Sequence, residues 1–295
     1  MKKDAASSTA YTVLHGILHT SRRPELAFLV SDDVAASCEK ILSALPEGRK
    51  RLAQLNSPLK SRILPFLEWL LIPGITLNYV LRKKFIEEQV CSAIDDGTTQ
   101  IVNIGAGFDT LAWRLSRRFS PVNFIEIDHP ATSAQKRSAV AAVSKSMPNL
   151  HFVAADLNQE TIESALNSCA GFDSGRKTLY ICEGVLMYLE EPRVIALFDA
   201  LRGLTGPGSL FIFSCMEPRR SVKHRPRPLL QLYLALKSER YRWYLGDTDL
   251  TAFLRVRNYT LKAVADSDYY RRTYLGTDYR GTLHRGEYVV TAEVD

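Results

Sequence analysis

From about residue 100 onward, short apolar runs alternate with segments of helical periodicity. A helical segment follows each of the first four of these five runs: 100–106, 122–128, 150–156, 178–186 and 209–216. Continuous apolar runs are typical of strands buried on both faces, and strands that alternate with helices need crossover connections. Because such crossovers are right-handed, the pattern predicts an α/β fold with a doubly wound, mostly parallel sheet. Two later runs, 259–266 and 286–294, predict a terminal strand pair that completes seven strands.

The first 99 residues lack this alternation and predict several helices. Breaks are expected where proline, glycine or serine stand together, near residues 46–48, 57–58 and 73–74. We therefore expect an N-terminal helical cap over residues 1–99. The α/β domain would occupy residues 100–295 and carry a basic insertion at about 217–245.

The composition is that of an ordinary globular chain. Of the 295 residues, 46% are hydrophobic, and the five cysteines lie far apart without a CxxC pair. This spacing argues against a zinc site or a disulfide framework, so we expect no metal and a reduced, cytoplasmic setting. Residues 63–81 are nearly long enough to span a membrane, but Glu68 and the turn Pro73-Gly74 interrupt them. A buried helical cover is the favoured interpretation.

Positive charge is concentrated in one segment. Residues 218–242 hold eight lysines or arginines and one acid, whereas the net charge of the whole chain is +6. The segment is either a solvated loop and helix or a local field that attracts an anionic partner. Nucleic acid is not the expected partner, because no groove-reading or zinc motif accompanies the charge.

The turn Gly105-Ala106-Gly107 follows the first predicted strand directly and precedes a helix. Glycines at the carboxyl end of such a strand let a ligand approach the backbone, which side chains would block. The alternative is a tight strand-to-helix turn that binds nothing. The glycines alone do not decide between these two interpretations.

The next three predicted strands end in acids: Asp128, Asp156 and Glu183. Asp128 stands twenty-one residues after Gly107, where an acid can accept hydrogen bonds from both ribose hydroxyls. Unpaired carboxylates are costly to bury, so three of them along one edge indicate a polar or cationic ligand. For any single acid, and for Asp156 in particular, helix N-capping is the alternative.

Two nucleoside cofactors suit such an edge. A dinucleotide carries an anionic pyrophosphate and usually requires a third glycine, but Thr110 stands at that position and Asp109 precedes it. S-adenosylmethionine has no phosphate and carries a sulfonium and an ammonium group, which acids favour. The residues therefore favour methyl transfer.

The segments "VNIGAGFDTLAWRL", "FIEIDHP" with "QKR", "AADL" and "EGVLMYL" resemble the motifs of the leucine carboxyl methyltransferase family. This family belongs to the class I S-adenosylmethionine-dependent O-methyltransferases. The similarity covers about residues 79–216, and the four motifs in order make it specific. It implies a seven-stranded Rossmann-like sheet with a helical lid.

The resemblance also implies roles for individual residues. The glycines would lie under the methionine moiety, Asp128 would bind the ribose, Asp156 and Leu157 would frame the adenine, and Glu183 would hold the methionine end. The predicted cofactor-binding residues are Arg82, Gly105, Gly107, Asp128, Asp156, Leu157 and Glu183.

Two of the implied roles leave alternatives open. Arg82 is the best match to an arginine that pairs with the cofactor carboxylate, and Lys83 or Lys84 could take that role instead. Tyr188 is similar to a tyrosine near the substrate, or it is a core residue at the start of a helix.

The expected reaction moves a methyl group from sulfonium to an oxygen nucleophile. The expected acceptor is a small molecule or a protein C-terminus, and the positive charge of residues 218–242 favours an anionic small molecule. A carboxylate acceptor is already ionised at neutral pH and needs no base, whereas a phenol would need one, for which His129 and His284 are candidates. We assign no catalytic residue. The rival functions are an NAD(P) oxidoreductase that uses Tyr233 and Lys237, and a binding module without turnover.

Overall fold

The fold is built on one seven-stranded sheet, seen in a computed structural model that describes residues 8–57, 68, 70, 72–218, 221, 241–276 and 278–295. The strands are β1 Gln100–Ile104, β2 Asn123–Asp128, β3 Leu150–Ala154, β4 Thr178–Cys182, β5 Leu210–Met216, β6 Tyr259–Ala265 and β7 Glu287–Val294. Their order is β3-β2-β1-β4-β5-β7-β6. The first five strands are parallel, and β7 runs antiparallel to both β5 and β6. The predicted sheet and its terminal pair are confirmed.

Helices of the described chain precede β1 and connect the strands. They are α1 Ser8–Ser21, α2 Asp32–Ala44, α3 Pro46–Leu55, α4 Ile75–Asp95, α5 Leu111–Arg118, α6 Pro130–Val143, α7 Ile162–Asn167, α8 Glu191–Gly203, α9 Asp247–Val256 and α10 Ser267–Tyr270. Two of the predicted breaks fall between helices: Pro46 occupies the first turn of α3, and Gly74, with φ of 75°, precedes α4. The third, at 57–58, lies partly outside the described residues.

The apolar run 178–186 is longer than the strand that it forms. Strand β4 ends at Cys182, Gly184 adopts a φ of 70°, and a 3-10 helix follows at Leu186–Tyr188. A positive φ is incompatible with a continuing strand and suits glycine. The chain therefore turns where Glu183 stands, and this turn places the acid at the carboxyl edge of the sheet.

Two apolar cores lie on opposite faces of the sheet. On one face, Ile101, Leu179 and Ile212 pack into a core that includes α1 to α6. On the other face, Val102 and Tyr180 pack into a core with α7, α8 and α9. The N-terminal helices thus bury their apolar sides against the same face of the sheet as α5 and α6.

Part of the segment 63–81 lies outside the described residues. Its last residues start α4, and Leu77, Val80 and Leu81 are buried in the core of the protein. Within the described ranges, we find no helix with the length and apolar character that a membrane crossing requires.

Candidate functional site

A cavity of about 1030 Å³ opens at the carboxyl ends of β1, β2, β3 and β4. In open α/β sheets, ligands bind at this edge, where the strand order reverses. All seven predicted cofactor-binding residues and Tyr188 line the cavity: Arg82, Gly105, Gly107, Asp128, Asp156, Leu157, Glu183 and Tyr188. The fold therefore brings together residues that are more than a hundred positions apart.

The glycine turn needs bare backbone for two reasons. Gly105 and Gly107 have φ angles of 69° and 52°, which residues with a Cβ rarely adopt. A Cβ at position 105 would also lie 2.2 Å from Val185 Cγ2, and one at position 107 would lie 3.1 Å from Ala10 Cβ. The close approach of Val185 and of helix α1 thus explains why both positions are glycine. The same two glycines also line the cavity.

Asp128 is hydrogen-bonded to the turn. Its Oδ2 accepts from the Gly107 backbone N–H at 2.6 Å, and its Oδ1 accepts from the His129 N–H at 2.7 Å. Burial raises the pKa of this carboxyl, and the two backbone donors oppose the rise. Each carboxylate oxygen has two acceptor sites, so the group can brace the turn and still accept from ribose hydroxyls.

Asp156 closes a tight turn after β3. It accepts from the Asn158 N–H at 3.0 Å and from Gln159 Nε2 at 2.8 Å. The helix that follows begins at Ile162, and its N-cap is Thr161. The N-capping alternative for Asp156 is therefore wrong, and its carboxylate instead shapes the loop that carries Leu157 into the cavity wall.

Buried ion pairs lie at the other end of the glycine turn. Arg82 Nε donates to Glu183 Oε1 at 2.5 Å, and Lys83 Nζ lies 2.6 Å from Glu183 Oε2 and 2.8 Å from Asp109 Oδ2. Arg82 also pairs with Glu287. Glu287 is absent from the residues predicted from the sequence, because an acid that begins the last strand has no local signal linking it to a site near residue 82.

The lysines beside Arg82 have different positions. Lys83 lines the cavity with Arg82, whereas Lys84 is not among the lining residues and pairs with Glu88 at 3.1 Å. The Lys83 partner also corrects an expectation about Asp109. The Asp109 carboxylate is paired and not an isolated charge, so it would repel a pyrophosphate less than the sequence suggested.

The far end of the cavity has an aromatic and apolar wall. The rings of Tyr188 and Tyr241 lie 5.6 Å apart, and Leu189 and Arg242 stand beside them. Helix α1 also lines the cavity, with Thr9, Ala10, Val13 and Leu14. The cavity thus combines the glycine turn and its acids with an aromatic and apolar wall.

The two candidate bases differ in position. His129 lines the cavity, but its Nδ1 accepts the Ala131 N–H at 3.4 Å as the N-cap of α6. His284 is not among the lining residues and lies near Gly74. Tyr233, Lys237 and most of the basic segment 218–242 fall outside the described residues. The roles suggested for them stay predictions.

The residues present fit S-adenosylmethionine. The glycine turn lines the cavity, and the paired Asp128 oxygens keep capacity for a diol. Within the described residues, Glu183 Oε2 is buried and contacts Lys83 Nζ at 2.6 Å, and the second acceptor site of this oxygen can accept from an ammonium group. The seven-stranded, mostly parallel sheet with helices on both faces and an antiparallel β7 matches the fold of the class I S-adenosylmethionine-dependent methyltransferases.

The chain belongs to the leucine carboxyl methyltransferase family, whose model matches residues 29–202. A Mycobacterium tuberculosis protein named "Putative S-adenosyl-L-methionine-dependent methyltransferase" is 37% identical over 134 residues, which are 45% of this chain and 37% of that protein. A second M. tuberculosis protein with the same name is 33% identical over 131 residues, which are 44% of this chain and 41% of that protein. The matched region thus spans less than half the length of these relatives.

A solved structure has the same fold. The crystal structure of a protein from Thermobifida fusca YX, described as a "putative methyltransferase", superposes with a TM-score of 0.61 at 16% identity. The match covers 87% of this chain and 94% of that one. The likeness supports the fold and not a particular substrate.

Proposed function

We propose that this protein transfers the methyl group of S-adenosylmethionine to an oxygen nucleophile, preferably a carboxylate, of a small molecule or a protein C-terminus. The observation that carries the proposal is the single cavity that joins the glycine turn, Asp128 and Glu183 to an aromatic and apolar wall. A cavity of about 1030 Å³ lies at the upper end of the range for ligand sites, which allows two molecules to lie side by side.

The cofactor would lie along the strand ends. Asp128 would accept from the ribose hydroxyls, Leu157 would contact the adenine, and Glu183 with Arg82 would hold the methionine end. S-adenosylmethionine supplies the electrophilic methyl group on its sulfonium. The protein contributes orientation and exclusion of water, which are large terms for a bimolecular transfer.

A carboxylate acceptor is preferred because the candidate base His129 already makes a structural hydrogen bond. Its Nδ1 accepts the Ala131 N–H and caps α6, so the ring has a structural role at the edge of the cavity. A carboxylate needs no deprotonation near pH 7, whereas a phenol with a pKa of about 10 would need a base. Methyl transfer to the carboxylate then requires that the protein align the acceptor oxygen with the methyl carbon and the departing sulfur.

Ligand binding separates this proposal from its rivals. S-adenosylhomocysteine is expected to raise the melting temperature, and NAD, NADP and ATP are not, because a ligand that binds only the native state stabilises it. Stabilisation by NAD without a response to S-adenosylhomocysteine would favour an oxidoreductase. A screen of carboxylates and phenols with methyl-labelled cofactor then identifies the acceptor, and binding without turnover of any acceptor would favour the non-catalytic module.

A further inference from the structure

Glu287 connects the last strand to the cavity. It begins β7 beside Met216 of β5, its side chain is 4% exposed, and it lies beyond the residues that match the family model. Its two carboxylate oxygens each lie 2.5 Å from Arg82 Nη1, and Oε2 also accepts from Asn78 Nδ2 at 3.1 Å. This side chain therefore holds the guanidinium of Arg82 from the side that faces away from Glu183.

The hydrogen-bonded cluster around Arg82 has unequal numbers of positive and negative groups. Its cations are Arg82 and Lys83, and its acids are Asp109, Glu183 and Glu287. Burial works against both cations, but the acids outweigh it and raise the pKa of Arg82 and of Lys83. Although burial opposes ionisation of Asp109, Lys83 brings its pKa to about 2. With both cations protonated and the three acids ionised, the cluster carries one negative charge.

We propose that Glu287 is a positioning residue for Arg82 and supplies the negative charge that favours the cationic cofactor over its neutral product. This inference rests on the proposed function. S-adenosylmethionine carries a sulfonium, an ammonium and a carboxylate, and its net charge is +1. When the methyl group leaves, the carbon–sulfur bonding pair stays on sulfur, the sulfonium becomes a thioether, and S-adenosylhomocysteine is neutral overall.

The environment of the cluster strengthens this charge effect. The side chains of Arg82, Glu183 and Glu287 are 6%, 5% and 4% exposed, so solvent screens their field weakly. Without Glu287, Arg82 would keep Glu183 and the cluster would be neutral. The pocket would then favour the cationic ligand less strongly, while its hydrogen-bonding groups at the glycine turn stayed in place.

Calorimetry on the full chain tests the inference with three probes. These are S-adenosylmethionine, S-adenosylhomocysteine and sinefungin, which bears an amine in place of the sulfonium. In Glu287→Gln, the Kd of S-adenosylhomocysteine divided by the Kd of S-adenosylmethionine is expected to fall by about 3- to 10-fold. The Kd of S-adenosylhomocysteine divided by the Kd of sinefungin should fall in the same way. Glu287→Asp keeps the charge and should keep both ratios, even where absolute affinity falls.

Glu293→Gln is the matched control, because Glu293 lies on the same strand and pairs with Lys262 at the surface. It should leave both ratios unchanged. Equal losses for all three probes in Glu287→Gln would overturn the inference and leave Glu287 a structural residue. If that variant does not fold, Asp109→Asn removes one charge from the same cluster, and an unchanged ratio there also overturns it. Failure of the wild-type protein to bind any probe would instead contradict the proposed function.

Discussion

The backbone N–H of Gly107 donates to Asp128 Oδ2 at 2.6 Å, which joins the glycine turn after β1 to the end of β2. The same carboxylate is the group expected to bind the ribose. We therefore expect ligand binding and the shape of the turn to depend on one side chain. A change at Asp128 is then expected to alter both cofactor affinity and stability.

Asp128→Asn tests this coupling. The amide has one acceptor oxygen instead of two, so either the turn or the ribose loses a charged acceptor, at a cost of about 1.5–3 kcal/mol per bond. We expect the Kd for S-adenosylhomocysteine to rise by about 10- to 100-fold in calorimetry, and the free energy of unfolding to fall in denaturant titration. Asp173→Asn, at an exposed pair with Arg176, is the control. Lower stability with unchanged affinity would mean that Asp128 serves the turn alone.

Gly105→Ala separates backbone strain from close contact. Gly105 and Gly97 both have positive φ angles, but a Cβ at position 97 meets nothing within 4 Å, whereas one at position 105 meets Val185. We expect Gly97→Ala to cost about 1 kcal/mol of unfolding free energy and Gly105→Ala to cost more and to abolish binding of S-adenosylhomocysteine. Denaturant titration and calorimetry measure the two effects. Equal stability losses and retained binding would show that Val185 moves aside at no cost.

Lys136 of α6 and Glu126 of β2 form a buried pair, with Nζ 2.6 Å from Oε2. Burial raises the pKa of Glu126 to about 7, although Lys136 opposes the rise. Lys136→Met is expected to lower the free energy of unfolding by about 3–5 kcal/mol, because it leaves a buried carboxyl without its partner. The double variant with Glu126→Gln should recover much of that loss in denaturant titration. Additive losses in the double-mutant cycle would show that the two groups are not coupled.

The buried imidazole of His15, in α1, makes the free energy of unfolding depend on pH. Burial lowers the pKa of His15 to about 4, with further lowering by Arg51 and His19, and its Nε2 has no hydrogen-bond partner in the described part of the chain. Between this pKa and the unfolded value of about 6.5, the unfolded chain binds more protons. The free energy of unfolding therefore falls as pH drops from about 6.5 to 4.

The measurement compares denaturant titrations at pH 7 and pH 5. We expect His15 to account for about 1–2 kcal/mol of the loss at pH 5, and His15→Leu to remove that part. An equal loss in wild type and His15→Leu would show that the imidazole is not the titrating group.

Much of the fold could be predicted from the sequence, because local periodicity reports which faces of an element are buried. The alternation after residue 100 and the breaks at Pro46 and Pro73-Gly74 follow from residue types within a few positions of each other. The acids at the strand ends could be placed on one edge for the same reason: parallel strands meet at their carboxyl ends. The sequence by itself thus determined the sheet, the glycine turn and the candidate cofactor residues.

Only the tertiary structure decided which charges meet. Arg82 and Glu287 are 205 positions apart, and no local pattern links them, because their contact requires β7 to insert antiparallel beside β5. The pairing of Lys83 with Asp109 and the packing of Ala10 on Gly107 likewise depend on how α4 and α1 lie on the sheet. The physical reason is that packing of distant segments sets these distances, whereas sequence patterns encode only the faces that each segment buries.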